Sequence, residues 1–208
     1  MARYQRKDHF HQRAKREGYR SRAAYKLLEL ARSQRLLRRG QRVADLGCWP
    51  GGWLQVASEA VGSEGRVVGL DPAPIDPPLD NENVVALVGS VLEPTDIEAV
   101  LEALGGRADV VLSDAAPKLS GVKATDRARE EALLEAVERA LPRLLAPRGA
   151  LLLKILEGPE AQAIDRRLRG AFERARTVRP EASRRGSSER YLVAHGYRGD
   201  PGGGASRG

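Results

Sequence analysis

The sequence predicts an α/β fold: a mostly parallel, seven-stranded sheet with helices on both faces. Short apolar segments alternate with helix-like segments along the chain. Many of the apolar segments have hydrophobic residues at consecutive positions, which indicates strands that are covered on both faces. Glycine, proline and short polar stretches separate the segments, as they do between the elements of such a fold.

Five strong strand candidates come first and two weaker ones follow. They are RVADL (42–46), RVVGLD (66–71), NVVALVG (83–89), ADVVLSD (108–114) and GALLLKIL (149–156), then 174–179 and 190–197. The helix candidates are 21–37, 53–61, 94–105, 125–147 and 159–174. Ser21 is the predicted N-cap of the first helix, and Gly40 is predicted to end it.

We expect three regions along the chain: a basic arm (1–20), one domain (21–197) and a disordered, glycine-rich tail (198–208). The net charge is +7, and the first 26 residues account for it, with nine Lys and Arg against two carboxylates. Tyrosine and phenylalanine residues are interleaved with these charges. Such an arm suits phosphate neutralisation and base stacking on RNA, although a merely solvated tail is the alternative.

Composition also narrows the class of protein. No apolar run approaches the roughly 18 residues that would span a bilayer, and the amino-terminal segment lacks the apolar centre of a secretory signal. The single cysteine, Cys48, cannot form an internal disulfide. We therefore expect a monomer in the cytoplasm, without a membrane partner.

Polar side chains lie at or near the ends of four predicted strands. They are Asp45, Asp71, Asp114 and Lys154, the last of which lies inside an aliphatic run. The carboxyl ends of parallel strands meet at one edge of the sheet, where ligands bind. The sequence therefore predicts a ligand site at this edge, and a role for a lysine that would otherwise be costly to bury.

The first strand leads into a glycine loop, ADLGCWPGGWLQ (44–55). Its spacing is not that of a dinucleotide-binding loop, and Pro50 removes an amide donor. With Asp71 available to hold ribose hydroxyls, the loop indicates an adenosine ligand without a pyrophosphate. S-adenosylmethionine (SAM) fits this description better than NAD. Cys48 is either a nucleophile or a packing residue, and its place inside the turn favours packing.

Six motifs together resemble the FtsJ/RlmE-type ribose 2′-O-methyltransferases that act on ribosomal RNA. They are SRAAYKL (21–27), DLGCWPGGW (45–53), LDPAPIDP (70–77), VLSDAAPKLSG (111–121), LLLKILEG (151–158) and SSERYLVAHGY (187–197). The motifs occur in the family's order. The resemblance implies a Rossmann-like, SAM-dependent methyltransferase fold.

The resemblance also implies the site residues. A catalytic tetrad would consist of Lys26, Asp114, Lys154 and Glu189. The cofactor contacts would be Asp45, Gly47, Gly51, Trp53, Asp71, Ser90 and Asp114. Ser90 stands where the family usually has an aspartate near the adenine, and Trp49 where smaller residues are commoner. No metal site is implied.

The implied activity is methyl transfer to the ribose 2′-hydroxyl of a uridine in 23S ribosomal RNA, with the large (50S) ribosomal subunit as partner. Lys154 would contact this hydroxyl, either as a base or as a charged group that orients it. Two alternatives stay open: a tRNA ribose 2′-O-methyltransferase and a non-catalytic RNA-binding factor in ribosome assembly. An NAD-type oxidoreductase is disfavoured by the glycine spacing.

Overall fold

The computed structural model describes residues 9–117, 120–155, 159–183 and 189–199. The strands are β1 (Arg42–Leu46), β2 (Arg66–Asp71), β3 (Val84–Val88), β4 (Ala108–Ser113), β5 (Leu145–Ile155), β6 (Phe172–Val178) and β7 (Arg190–Tyr197). The helices are α1 (His9–Arg16), α2 (Ala24–Gln34), α3 (Gly52–Val61), α4 (Pro94–Leu104), α5 (Lys123–Leu144) and α6 (Pro159–Gly170).

The seven strands form one sheet in the order β3-β2-β1-β4-β5-β7-β6. Strands β1 to β5 are parallel, whereas β7 runs antiparallel to both of its neighbours. The predicted seven-stranded, mostly parallel sheet is confirmed. Because β7 is reversed, its first residues lie at the same edge as the last residues of β4 and β5.

Two apolar clusters cover the two faces of the sheet. Helices α4, α5 and α6 pack on one face with residues such as Val100, Val137 and Ile164. Helices α2 and α3 pack on the other face with residues such as Leu27 and Leu54. Strand β5 contributes Leu151 and Leu153 to the first cluster and Leu152 to the second. This alternation directs Lys154 toward the side of α2.

Several predicted boundaries were wrong. Helix α2 begins after Ala23 without a side-chain cap, so Ser21 is not the N-cap, and the helix ends at Gln34, with Arg35 as its C-cap, rather than at Gly40. Strand β5 begins at Leu145, which pairs with Ala108, and the predicted helix therefore does not reach residue 147. Helix α6 ends at Gly170, and β6 replaces its predicted last turn.

The described part of the amino-terminal arm contains α1, which packs against α2. Phe10 and Tyr25 place their ring centroids 5.5 Å apart, and Ala14 is buried beside Tyr25 and Ala182. Within the described ranges, no helix combines the length and apolar character that a bilayer span needs. Residues 200–208 of the predicted disordered tail lie outside the described residues.

Candidate active site

The strand register brings the central side chains of the site together. Strand β4 pairs with β5 through Ser113 and Leu153, so Asp114 and Lys154 follow on neighbouring strands. Lys154 is also the cross-strand partner of Tyr191 on β7. Glu189 directly precedes β7 and therefore lies at the same edge.

The contacts of Lys154 explain how a lysine can be buried in an aliphatic strand. Its side chain is only 9% exposed, and its Nζ lies 3.0 Å from Asp114 Oδ1 and 2.6 Å from the backbone oxygen of Asp114. An ammonium group has three donors. Two of them are directed to Asp114, which leaves one for a ligand at the rim of the sheet.

Lys26, in the first turn of α2, completes the predicted tetrad from the adjoining helix. Its Nζ lies 2.8 Å from Glu189 Oε1 and 3.7 Å from Asp114 Oδ2. Both lysine side chains are therefore buried next to carboxylates, which offsets the cost of removing the ammonium groups from water. The structure brings all four tetrad residues into one connected cluster.

Tyr191 is a member of this cluster that sequence reasoning missed. Its hydroxyl donates a hydrogen bond to Asp114 Oδ1 (2.7 Å) and accepts one from Lys26 Nζ (3.2 Å). Burial, and then the charges of Asp114 and Glu189, raise the pKa of the phenol far above its usual range. Tyr191 therefore remains a hydrogen-bond donor and holds Asp114 between the two lysines. The SSERYLVAHGY motif contains Tyr191, but only the register shows that it faces Lys154.

A cavity of about 910 Å³ lies beside the cluster at the carboxyl ends of β1, β2 and β4. Its apolar walls include Leu70, Val91, Leu92 and Leu133, and its polar rim includes Asp71 and Asp114. Trp49 also lines it, with 59% of its surface exposed. Ligand cavities of roughly 300–1,000 Å³ with apolar walls and few polar groups suit cofactor-sized molecules.

Four of the predicted cofactor residues line this cavity: Gly47, Asp71, Ser90 and Asp114. The Asp71 carboxylate accepts hydrogen bonds from the backbone N–H groups of Trp49 (3.0 Å) and Ala73 (2.9 Å). These bonds fix its orientation and leave lone pairs for ligand hydroxyls. Gly47 has a φ of 85°, and a Cβ there would lie 2.6 Å from that of Ala115. Only glycine lets these two loops approach so closely.

Ser90 lines the cavity at the position of the family's usual aspartate. Its Oγ accepts a hydrogen bond from Leu92 N–H (3.2 Å), and its own N–H donates to Asp96 Oδ2 (2.8 Å). Asp96, in the first turn of α4, was not singled out by sequence reasoning. Its carboxylate holds the Gly89–Ser90 turn from behind.

The other three predicted cofactor residues do not line the cavity. Asp45 is fully buried, and Gly51 lies against Arg20, Ile75 and Leu79. Trp53 is buried, and its Nε1 donates to the backbone oxygen of Ala23 (2.8 Å), which ties the start of α3 to the start of α2. These residues shape the walls from behind.

Cys48 is buried in the glycine turn, and its Sγ occupies the space that a side chain at residue 69 would need. Burial, and then the neighbouring carboxylates Asp45 and Asp71, raise the pKa of the thiol well above its usual range. A neutral thiol is a poor nucleophile. The geometry therefore supports the predicted packing role of Cys48.

Asp45 predicts an unusual dependence of stability on pH. Among the residues that the structure describes, neither of its carboxylate oxygens has a hydrogen-bond partner, and burial, then Asp114 and Asp71, raise its pKa well above the usual value. In the unfolded chain the carboxyl group of Asp45 loses its proton at about pH 4, whereas in the native state it keeps this proton. The unfolded state then binds fewer protons, so the free energy of unfolding falls as pH rises from about 4 toward the native pKa.

Asp45→Asn cannot titrate, so urea unfolding between about pH 4 and 7 should show a flatter profile for this variant. The difference in the free energy of unfolding between this variant and the wild type should change by up to about 1.4 kcal/mol per pH unit. Asp80→Asn, at an exposed carboxylate, serves as the control. Parallel profiles for wild type and Asp45→Asn would contradict the proton assignment.

The chain is similar in sequence and in structure to several known proteins. A family model described as FtsJ-like methyltransferase matches residues 19–197. The chain is 43% identical over 193 residues to ribosomal RNA large subunit methyltransferase E of Methanothermobacter thermautotrophicus, covering 93% of this chain and 91% of that protein. A ribosomal RNA methyltransferase structure from Plasmodium falciparum superposes with a TM-score of 0.73 at 27% identity, covering 88% of this chain and all of that one. Aeropyrum pernix fibrillarin, solved with bound SAM, shares the fold, with a TM-score of 0.61 at 19% identity over 85% of this chain and 75% of that one.

Proposed function

Because the chain belongs to the FtsJ-like methyltransferase family, we propose that it transfers the methyl group of SAM to the 2′-hydroxyl of a uridine ribose in 23S ribosomal RNA. The observation that carries this proposal is the buried cluster of Lys26, Asp114, Lys154 and Glu189 at one end of the cavity. A protein that only bound RNA would gain nothing from burying two lysines there. The names of the similar proteins support ribosomal RNA as the substrate.

The cavity fits the proposed cofactor in size and in chemistry. Asp71 offers carboxylate oxygens to ribose hydroxyls, while Val91, Leu92 and Leu133 offer an apolar slot for the adenine ring. Asp114 lies both at the cavity and in the lysine cluster, so it marks where cofactor and substrate meet. When bound, SAM supplies an electrophilic methyl group carried by a sulfonium.

Lys154 positions the nucleophile. With two of its donors directed to Asp114, the remaining Nζ valence is available to the incoming 2′-hydroxyl. The ammonium donates to the oxygen and orients it for an in-line displacement, and the hydroxyl proton is released to water as the bond from oxygen to the methyl carbon forms. Correct positioning alone contributes roughly 7–11 kcal/mol in ideal cases.

The other members of the cluster hold Lys154 in place. Asp114 accepts from Lys154 and Tyr191 at the same oxygen, Oδ1, and faces Lys26 with Oδ2. Glu189 neutralises Lys26 at 2.8 Å. Two ammonium groups and two carboxylates thus balance in charge, which keeps the amine of Lys154 directed to the rim without a net buried charge.

The proposal is tested by incubating the protein with SAM labelled in the methyl group and with unmethylated large ribosomal subunits, naked 23S ribosomal RNA or bulk tRNA. Label in an alkali-resistant dinucleotide of the ribosomal RNA, beginning with uridine, is the expected result. Label in tRNA alone, or in a base rather than a ribose, would overturn it. Comparing subunits with naked RNA identifies the true partner.

We place the enzyme in the cytoplasm as a monomer that acts on the large subunit. The basic arm supports the ribosomal RNA partner, and its described part packs against the catalytic domain through Phe10 and Tyr25. This contact holds the basic residues of α1, Arg13, Lys15 and Arg16, near the start of α2, where Lys26 enters the site. Light scattering of the purified protein measures its oligomeric state, and light scattering of its mixture with subunits measures binding to the large subunit.

A further inference from the structure

A second cavity lies on the α2 side of the sheet, away from the tetrad. It has a volume of about 520 Å³ and is lined by the end of α2 and by β6 and β7. We call it the arginine cleft, after Arg35, Arg38, Arg174 and Arg176, which line it together with His195. No acidic side chain is among the described residues that line it.

Within the described part of the chain, none of the four arginines of the cleft forms an ion pair with a carboxylate. By contrast, Arg143 and Arg167 on the opposite face of the sheet each pair with a glutamate, at 2.7 and 2.6 Å. The four guanidinium groups are solvent-exposed, so water screens their mutual repulsion, and an anion in the cleft would be attracted by all four of them.

His195, which also lines the cleft, is affected by the positive charges of these arginines. Burial, and then the guanidinium groups of Arg174, Arg176 and Arg38, lower the pKa of its imidazole, although a hydrogen bond to the Gln34 backbone opposes this. The side chain is therefore kept neutral among cations. A neutral imidazole adds a polar wall without adding to the repulsion.

Two structural explanations account for part of this arrangement. Cations at the end of α2 are favoured by the helix dipole, which suits Arg35 and Arg38. Charged residues on the edge strand β6 discourage pairing with other chains, which suits Arg174 and Arg176. Neither explanation requires all four to converge on one cavity, which is the observation that points to a ligand.

The cleft is within reach of a substrate bound at the tetrad. Lys26 and Arg35 are nine residues apart on and just after α2, which corresponds to about 14 Å along the helix. Tyr191 and His195 are four residues apart on β7, which also corresponds to about 14 Å. A span of this length covers a few nucleotides of an RNA strand.

We propose that the arginine cleft is a second RNA-binding site, which holds backbone phosphates of the ribosomal RNA a few nucleotides from the ribose that is methylated. Guanidinium groups bind phosphate oxygens in a bidentate manner and without reading sequence. The cleft thus fixes the direction of the strand across the sheet, while the tetrad selects one ribose. This rests on the proposed function, because that function makes ribosomal RNA the polyanion in question.

The test compares Arg174→Gln/Arg176→Gln with wild type in binding to transcribed, unmethylated 23S ribosomal RNA at a series of KCl concentrations. Each lost phosphate contact lowers the slope of log K against log [salt] by about 0.7–0.9, so a fall of about 1.4–1.8 is expected. Arg174→Lys/Arg176→Lys should restore most of the slope. Arg107→Gln/Arg139→Gln makes the same change in charge elsewhere on the surface and should leave the slope nearly unchanged.

An unchanged slope in the Gln pair overturns the proposal, as does an equal fall in the Arg107/Arg139 control, which would indicate a general field rather than a site. A cleft that holds an acidic protein segment instead would also leave the slope on naked RNA unchanged. Calorimetric binding of SAM should be the same in all variants, which shows that they are folded. If the wild type transfers no methyl group but the Gln pair still shows the expected fall in slope, the proposed function is refuted while the proposal for the cleft is supported.

Discussion

Replacing Lys154 by methionine is expected to lower the rate of methyl transfer by about 10³-fold or more, because the amine that we propose contacts the substrate hydroxyl is lost. Methionine keeps much of the length and the apolar stem of lysine. Asp114 retains the hydroxyl of Tyr191 at 2.7 Å and Lys26 at 3.7 Å. The fold and the binding of SAM should therefore survive, and the loss should fall on the chemical step.

Single-turnover transfer of a labelled methyl group measures the rate, and calorimetry measures SAM affinity separately. Lys123→Met is the matched control, since Lys123 is exposed at the start of α5. Near-normal turnover of Lys154→Met would remove the lysine from the mechanism. A large loss of SAM affinity in this variant would instead place Lys154 in the cofactor site.

Replacing Asp114 by asparagine is expected to damage both stability and activity. Asp114 is the carboxylate that both buried lysines share, and removing one partner of a buried ion pair typically costs about 3–5 kcal/mol. In a domain of this size, each kcal/mol lowers the melting temperature by about 2–4 °C. The amine of Lys154 would also lose its orientation, so the rate should fall by at least about 10²-fold at temperatures where the variant is folded.

Glu189→Gln provides a graded comparison for Asp114→Asn. It removes the 2.8 Å ion pair with Lys26 but leaves Asp114 beside both lysines. Urea unfolding should therefore rank the variants as wild type, Glu189→Gln and Asp114→Asn, in order of decreasing stability. Equal destabilisation by the two substitutions would contradict the central place of Asp114.

The parallel part of the fold was readable from the sequence because its strands are apolar runs, four of which end in or near a polar residue. Asp71, Asp114 and Lys154 could be placed at one edge by this argument alone. The tetrad came from the resemblance, since nothing in the composition connects Lys26 with Glu189. The structure then brings these residues within ion-pair distance of one another.

The features that escaped prediction depend on contacts between distant segments. Tyr191 joins the site because β7 pairs antiparallel with β5, and no periodicity in either strand specifies that register. Gly51 and Trp53 lie where the glycine turn leads into α3. Their orientation relative to the cavity follows from the geometry of this turn rather than from a repeat in the sequence. The start of β5 was missed because Pro147 and Gly149 resemble a turn, whereas Leu145 already pairs with Ala108.

The reversed strand β7 also connects catalysis to the order in which the chain is made. The five parallel strands are complete once residue 155 has been synthesised, yet Glu189 and Tyr191 arrive only with the last strand, which inserts between β5 and β6. A nascent or truncated chain that lacks this strand has the cofactor cavity but not the complete tetrad. We therefore expect a chain truncated before β7 to lack methyl-transfer activity.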